Sequence, residues 1–547
     1  MLSVLRSVAP AFAALLFIVP VSPAAARDPV VAAPAGPVRG VGKDGLEIFK
    51  GIPYAQPPIG DLRWKPPAPT PDWKEEFDAA DFGPACVQYR ADTKSIYAEN
   101  LKAVSEDCLS LNVWKPKKAR KAPVFVWIYG GALRGGASSV SMYDGEALAK
   151  KGIVVVSINY RVGILGYLAH PELSAESPDN ISGNYGLLDQ IAALKWVRRN
   201  IAAFGGDPDN VTIAGESAGA LSVMYLMASP PARGLFHKAI AQSAYMISTP
   251  ALKEARFGAP SAEAIGVYVA GKLGAEHISD LRRMDAATIT RDSLQAGYVP
   301  WGTVDGVVLP DELVNVFDRG EQAPVPIVAG FNSGEIRSLR VLLPKSPANA
   351  GDYEAAIRKG YGELADEFLR QYPSSDIGES MLATTRDAMY GWTAERLARK
   401  QSDIGQQGYL YYFDHGYPAA EAMGLHGFHA SELPYVFGTI DDAGPNWPAI
   451  PDTPEERRLS EAMLGYWSSF ARDGAPSAPA EAEWRPYAAD EAYMHFADAP
   501  RTAADLLPGM YELHEEVMQR RRAGGVGWNW NVGVASPPLP PKPPGPR

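Results

Sequence analysis

Residues 210–223 read NVTIAGESAGALSV and change character in the middle. Val211, Thr212 and Ile213 form a β-branched run that fits a buried strand. Ala218, Ala220 and Leu221 are helix formers. Between them, Gly215-Glu216-Ser217-Ala218-Gly219 has the form G-x-S-x-G. A serine on a sharp strand-to-helix turn between two glycines is a nucleophile elbow, whose strained backbone tolerates only small neighbours. The same residues also read as a polar turn in which Ser217 caps the following helix. A nucleophile further needs a base, a group that orients the base, and donors for an oxyanion.

The surrounding chain supplies the frame. Apolar runs at 109–114, 124–128, 154–159, 211–214, 325–331 and 409–413 read as strands buried on both faces. Helical periodicity lies at 187–200, 221–227 and 455–473. Strands alternating with helices predict an α/β fold with a mostly parallel central sheet and helices on both faces. Residues 50–70 are too rich in Pro and Gly for regular structure and read as an ordered loop anchored by Tyr54 and Trp64. The catalytic domain is expected over 27–518, followed over 519–547 by a basic and then proline-rich tail, extended or disordered.

The chain has 547 residues, with 46% hydrophobic, 21% charged and a net charge of −11. That is ordinary globular composition, and it excludes nucleic acid as a partner. Residues 1–26 have one basic residue, an apolar stretch and a small-residue end at Ala24-Ala25-Ala26. They read as a secretory signal cut near Ala26, giving an exported chain, periplasmic or secreted, with no stable membrane span. Cys86 and Cys108 are the two cysteines. In an exported chain an even pair points to one disulfide.

After the strand at 124–128 comes Tyr129-Gly130-Gly131-Ala132-Leu133-Arg134-Gly135-Gly136. Four glycines and an alanine there let backbone N–H groups approach a substrate oxygen. Past 325–331, Glu335 lies beyond the carboxyl end of a strand, on the ligand-binding edge. It reads equally as a carboxylate favoured at a helix N-terminus. Five histidines follow: His415, His426, His429, His495 and His514. Spacing does not choose among them, although His426 and His429 share a glycine-bearing loop.

These segments resemble the type-B carboxylesterases, the cholinesterase-like α/β-hydrolases. FGGDPDNVTIAGESAG (204–219) is similar to their serine signature, and EDCLSLNVWKP (106–116) to their second one, with Ser110 at a position usually aromatic or Thr. GIPYAQPPIGDLRWKPP, VSINYRVGILGYL and HASELPYVFG also match, so the resemblance spans roughly 38–511. It implies an α/β-hydrolase fold and cleavage of small-molecule carboxylic esters through an acyl-enzyme, with no cofactor or metal. It implies Ser217 as nucleophile, Glu335 as triad acid and His429 as base. It implies oxyanion donors at Gly131, Ala132 and Ala218, and it supports the Cys86–Cys108 bridge. It also implies two structural ion pairs, Arg63 with Glu106 and Arg161 with Asp189.

Two features depart from the pattern. Many relatives carry a third glycine and an aromatic ring where this chain has Ala132 and Leu133. Leu133 is read as widening the acyl side of the pocket, and Arg134 as a substrate-binding candidate that otherwise faces solvent. No Trp lies between Cys86 and Cys108, so a cholinesterase-type cation site does not carry over. Two rival readings are a hydrolase of amides, lactones or carbamates, and a non-catalytic binding protein on the same fold. Matched ester and amide substrates separate the first; labelling of Ser217 separates the second.

Overall fold

The computed structural model describes residues 28–89, 94–99, 101–528 and 532–542. The expected signal segment, 1–26, lies outside the described residues. The main sheet has eleven strands. In chain order they are β1 (Val41–Lys43), β2 (Leu46–Pro53), β3 (Ser110–Pro116), β4 (Ala122–Ile128), β5 (Val154–Ile158), β6 (Gly206–Glu216), β7 (Lys238–Gln242), β8 (Ile327–Asn332), β9 (Gly408–Phe413), β10 (Ala492–Phe496) and β11 (Pro500–Ala504). Their order in space is β11-β10-β9-β8-β7-β6-β4-β5-β3-β2-β1. From β10 through to β5 every pairing is parallel; the pairings outside that block are antiparallel.

The central strands are largely buried on both faces and sort their side chains by pleat. Val124, Val126 and Ile128 of β4 enter one core, with helices α1 (Tyr185–Asn200) and α2 (Ala218–Ala228). Phe125 and Trp127 enter the other, with Leu459, Met463, Trp467 and Phe470 of α3 (Pro454–Asp473). Helices therefore cover both faces, as an α/β-hydrolase requires.

Strand ends differ from the sequence reading in instructive ways. Residues 50–53, expected in a loop, complete β2. Gly51 at φ 70° permits the register break between Phe49 and Ile52. Beyond Pro53 the segment is irregular apart from one 3₁₀ turn, Gly60–Leu62. Its anchors are buried and bonded, Tyr54 Oη to the Asn159 carbonyl at 2.6 Å and Trp64 Nε1 to the Ile164 carbonyl at 2.9 Å. β6 is longer than 211–214 on both sides, reaching Glu216 at the elbow. β8 starts at Ile327 rather than Val325.

Cys86 and Cys108 form a disulfide. Arg63 Nε lies 2.6 Å from Glu106, and Arg161 Nη2 lies 2.7 Å from the fully buried Asp189. The last helix, α4 (Met510–Ala523), runs through position 519. Residues 532–542 contain one 3₁₀ turn, Gly533–Ala535, and the Leu539 N–H donates to the Gly360 carbonyl at 2.9 Å. Among the described residues no helix is long and apolar enough to cross a membrane, and no cluster of side chains could hold a metal ion.

Candidate active site

Ser217 occupies the junction of β6 and α2 at φ 55°, ψ −121°. Left-handed backbone at a non-glycine residue costs of order 1–3 kcal/mol, so the surroundings must enforce it. They do so with close backbone contacts. A Cβ on Gly215 would lie 2.4 Å from the Gly219 carbonyl carbon, and one on Gly219 would lie 2.0 Å from the Ile128 carbonyl oxygen. The elbow thus needs both glycines because β4, β6 and α2 meet there backbone to backbone. The Ser217 N–H donates to the Gln242 carbonyl at 2.9 Å, tying the turn to the end of β7.

The glycine-rich loop after β4 lies against the serine. A Cβ on Gly130 would come within 3.1 Å of Ser217 Cβ. Ala132 and Leu133 both adopt positive φ, at 55° and 56°. Among the described residues, the N–H groups of Gly131, Ala132 and Ala218 make no hydrogen bond. Gly131 and Ala132 are exposed, so these donors are available to an outside oxygen. Leu133 is fully buried in the core, and its carbonyl accepts from the Gly163 N–H at 2.6 Å. Arg134 is exposed.

Glu335 begins a four-residue helical turn immediately after β8 and is fully buried. One carboxylate oxygen accepts from the Asn332 N–H at 2.9 Å; the other pairs with His429 Nδ1. The histidine loop is fixed to the acid loop by its backbone. The Gly334 N–H donates to the Gly427 carbonyl at 2.7 Å, and Asn332 Nδ2 to the Phe428 carbonyl at 2.8 Å. Tyr97 Oη donates to the His429 carbonyl at 2.9 Å, and the Tyr390 ring covers the imidazole at a centroid distance of 5.4 Å.

The other four histidines are engaged elsewhere. His426 lies between Glu421 and Asp414, His415 is 3.0 Å from Glu456, and His495 is 3.1 Å from Asp414. His514 bonds Tyr372 at 2.9 Å, and burial lowers its pKa to about 4.

A second carboxylate, which sequence reasoning left without a role, faces His429. Glu216 is buried, and its Oε1 stands 3.1 Å from His429 Nε2. The contact is within ion-pair reach but is not aligned as a hydrogen bond, and Oε1 has no other partner. Among the described residues Ser217 Oγ is not hydrogen-bonded to His429 either. Such contacts commonly tighten only once substrate is bound.

Glu432 completes the acidic set, accepting from Gln242 Nε2 at 2.9 Å and Asn332 Nδ2 at 2.6 Å. Burial raises the Glu216 carboxyl to about 8, opposed by His429 and reinforced by Glu432 and Glu335. Burial likewise raises Glu432 to about 7. For His429, burial lowers the pKa, but Glu216 and Glu335 overcome it and raise it to about 9. Glu216 and His429 therefore titrate as a pair: a proton on Glu216 removes the charge that holds one on His429. The sequence signal for Glu216 was its place beside Ser217, in a turn whose every residue the fold buries.

The carboxylesterase family matches residues 27–512. The fumonisin B1 esterase of Sphingopyxis macrogoltabida is 38% identical over 470 residues, covering 82% of this chain and 83% of that protein. The para-nitrobenzyl esterase of Bacillus subtilis is 36% identical over 468 residues, covering 84% and 92%. A solved PNB esterase structure superposes with a TM-score of 0.78 at 32% identity, over 89% of this chain and 99% of that one. The chain belongs to the carboxylesterase family and is a carboxylic ester hydrolase with the α/β-hydrolase fold.

Proposed function

We propose that the chain cleaves carboxylic esters in two steps through an acyl-enzyme on Ser217. Ser217 Oγ attacks the ester carbonyl as His429 Nε2 takes its proton. Glu335 holds the Nδ1 proton, which fixes the tautomer and offsets the charge that forms on the ring. The N–H groups of Gly131, Ala132 and Ala218 receive the oxyanion. His429 then returns the proton to the departing alcohol. Water enters along the same route and releases the acid. Leu133 acts from the core as a support of the oxyanion loop rather than through contact with the acyl group.

One observation carries the reading: unpaired N–H groups on two segments adjoin a serine at φ 55°, next to a histidine–glutamate pair. Nothing in the described part of the molecule uses those donors, and an oxyanion would. The Cys86–Cys108 bond and the leader expected over 1–26 fit action in an oxidising compartment outside the cytoplasm.

Ser217→Ala tests the assignment. Esterase activity should fall by about 10⁴-fold or more with the thermal unfolding midpoint kept within a few degrees. A fluorophosphonate should label wild type at Ser217 and leave the variant unlabelled. Near-normal turnover by the purified variant would remove Ser217 from the mechanism.

A further inference from the structure

The loop after β4 is anchored on both sides of one charged residue. On one side the Leu133 side chain is buried. On the other, the Gly136 N–H donates to Gln88 Oε1 at 2.7 Å, and Gln88 Nε2 returns a bond to the Gly136 carbonyl at 2.9 Å. The Arg134 N–H closes the turn onto the Gly131 carbonyl at 2.9 Å. What the loop leaves exposed is Gly131, Ala132 and Arg134. The first two carry the free N–H groups beside Ser217. Two residues of chain span at most about 7 Å, so the Arg134 backbone lies on the same exposed turn as those N–H groups.

Its charge is not used by the fold. Among the described residues the Arg134 side chain makes no ion pair or hydrogen bond. The site it borders is acidic, with Glu216, Glu335 and Glu432 all buried around His429. Burial pushes the Tyr245 phenol up, Tyr225 and Glu216 push it further, and Arg134 pulls against them. Tyr245 stands against Tyr390 at 6.0 Å between ring centroids, and Tyr390 covers His429. The Arg134 charge therefore acts on Tyr245 with the sign opposite to that of Glu216. A substrate carboxylate entering beside these buried glutamates would gain from a cation next to it.

We propose that Arg134 is a specificity residue that selects esters carrying a free carboxylate a few bonds from the scissile carbonyl. The assignment rests on the esterase reading above and names its substrate class. The guanidinium offers a planar fork that matches a carboxylate with two parallel bonds, and here no protein acceptor competes for it. One negative charge on the substrate suits one cation set against the glutamates; a doubly charged group would leave an excess.

The test compares diethyl succinate with monoethyl succinate in wild type, Arg134→Gln and Arg134→Lys. The quantity read is the ratio of kcat/KM for the half-ester to that for the diester. The ratio should fall by about ten- to a hundredfold in Arg134→Gln, because a charge-assisted pair is lost. Arg134→Lys should recover part of it, since the charge returns without the fork. Thermal unfolding of both variants controls for misfolding, and either variant alone decides the sign. Equal changes for both esters, in a wild type that cleaves them, would overturn the role of Arg134 and leave the esterase reading standing. A wild type that cleaves neither ester and refuses fluorophosphonate at Ser217 would overturn the esterase reading and this assignment with it.

Discussion

His426 and His429 lie on one loop, and each has two carboxyl groups within reach. His426 has Asp414 and Glu421; His429 has Glu335 and Glu216. Both are raised to about 9, His426 by its bonds to Asp414 and Glu421 against burial, His429 by Glu216 and Glu335 against a much deeper burial. The difference lies in what surrounds the pairs. The His426 side chain is 38% exposed and its carboxylates face water, whereas Glu335 and Glu216 are buried with His429. A shifted pKa therefore does not separate the two. The position of the second ring nitrogen does: in His429 it faces Glu216 of the elbow, in His426 it faces Asp414.

Substitution should separate the two more sharply than any local measure. His429→Ala should lose about 10⁴-fold or more in kcat, since the proposed base is removed. His426→Ala should keep activity within about threefold, because neither of its carboxylates touches the elbow. Assay of both on one neutral ester decides it, and a dead His426 variant beside a live His429 variant would reverse the comparison.

The acid partner sharpens the same point. Glu335→Gln keeps the size but leaves one acceptor where two are used, by the Asn332 N–H and by His429 Nδ1. The charge that offsets the imidazolium is also lost, and kcat should fall by about 10³- to 10⁴-fold with KM little changed. A loss below tenfold in the folded variant would show that Glu335 does not orient the base.

What could be read from sequence follows the range of the constraint. The elbow and the loop after β4 were legible because their backbone requirements sit in consecutive residues: Gly215 and Gly219 around Ser217, and Gly130 and Gly131 beside it. Glu335 and His429 are separated by 94 residues and meet where the Gly334 N–H pairs with the Gly427 carbonyl and Asn332 with Phe428. Nothing local distinguishes His429 from His426, and family resemblance alone chose between them.

The parallel core was legible where Val and Ile concentrate. β7 was not, because KAIAQ carries little strand propensity and is held by its neighbours β6 and β8. β2 was hidden by Gly51, which breaks the alternation at the register shift. Glu216 was visible from the first line, but its partner on the histidine loop was not.

Glu216 offers a subtler break between the two histidines. Its charge and that of Glu335 hold the proton on His429, which as the proposed base must be neutral to accept from Ser217. Glu216→Gln removes one of the two charges, so the His429 pKa should fall. The acid limb of the kcat/KM profile should then move to lower pH by about one unit or more. A limb that stays in place, or moves up, would mean that Glu216 and His429 do not titrate together.

The smallest effect belongs to His426 itself and concerns stability. Its folded pKa, about 9, lies above the unfolded value near 6.5. Native His426 therefore binds its proton more tightly than the unfolded chain does. The stabilisation is fully present below about pH 6.5 and is lost as pH rises through about 9. Because the ring and both carboxylates are partly in contact with water, screening reduces the gain to about 0.5–1 kcal/mol. Asp414 also keeps His495 as a partner when His426 is removed, which limits the cost further. Denaturant unfolding of wild type and His426→Ala at pH 6 and pH 9.5 reads the difference. It should be present at pH 6 and close to zero at pH 9.5. A gap that widens toward high pH would mean that His426 stabilises the loop as a neutral ring through packing rather than as an ion, and the two histidines would then differ in charge state as well as in burial.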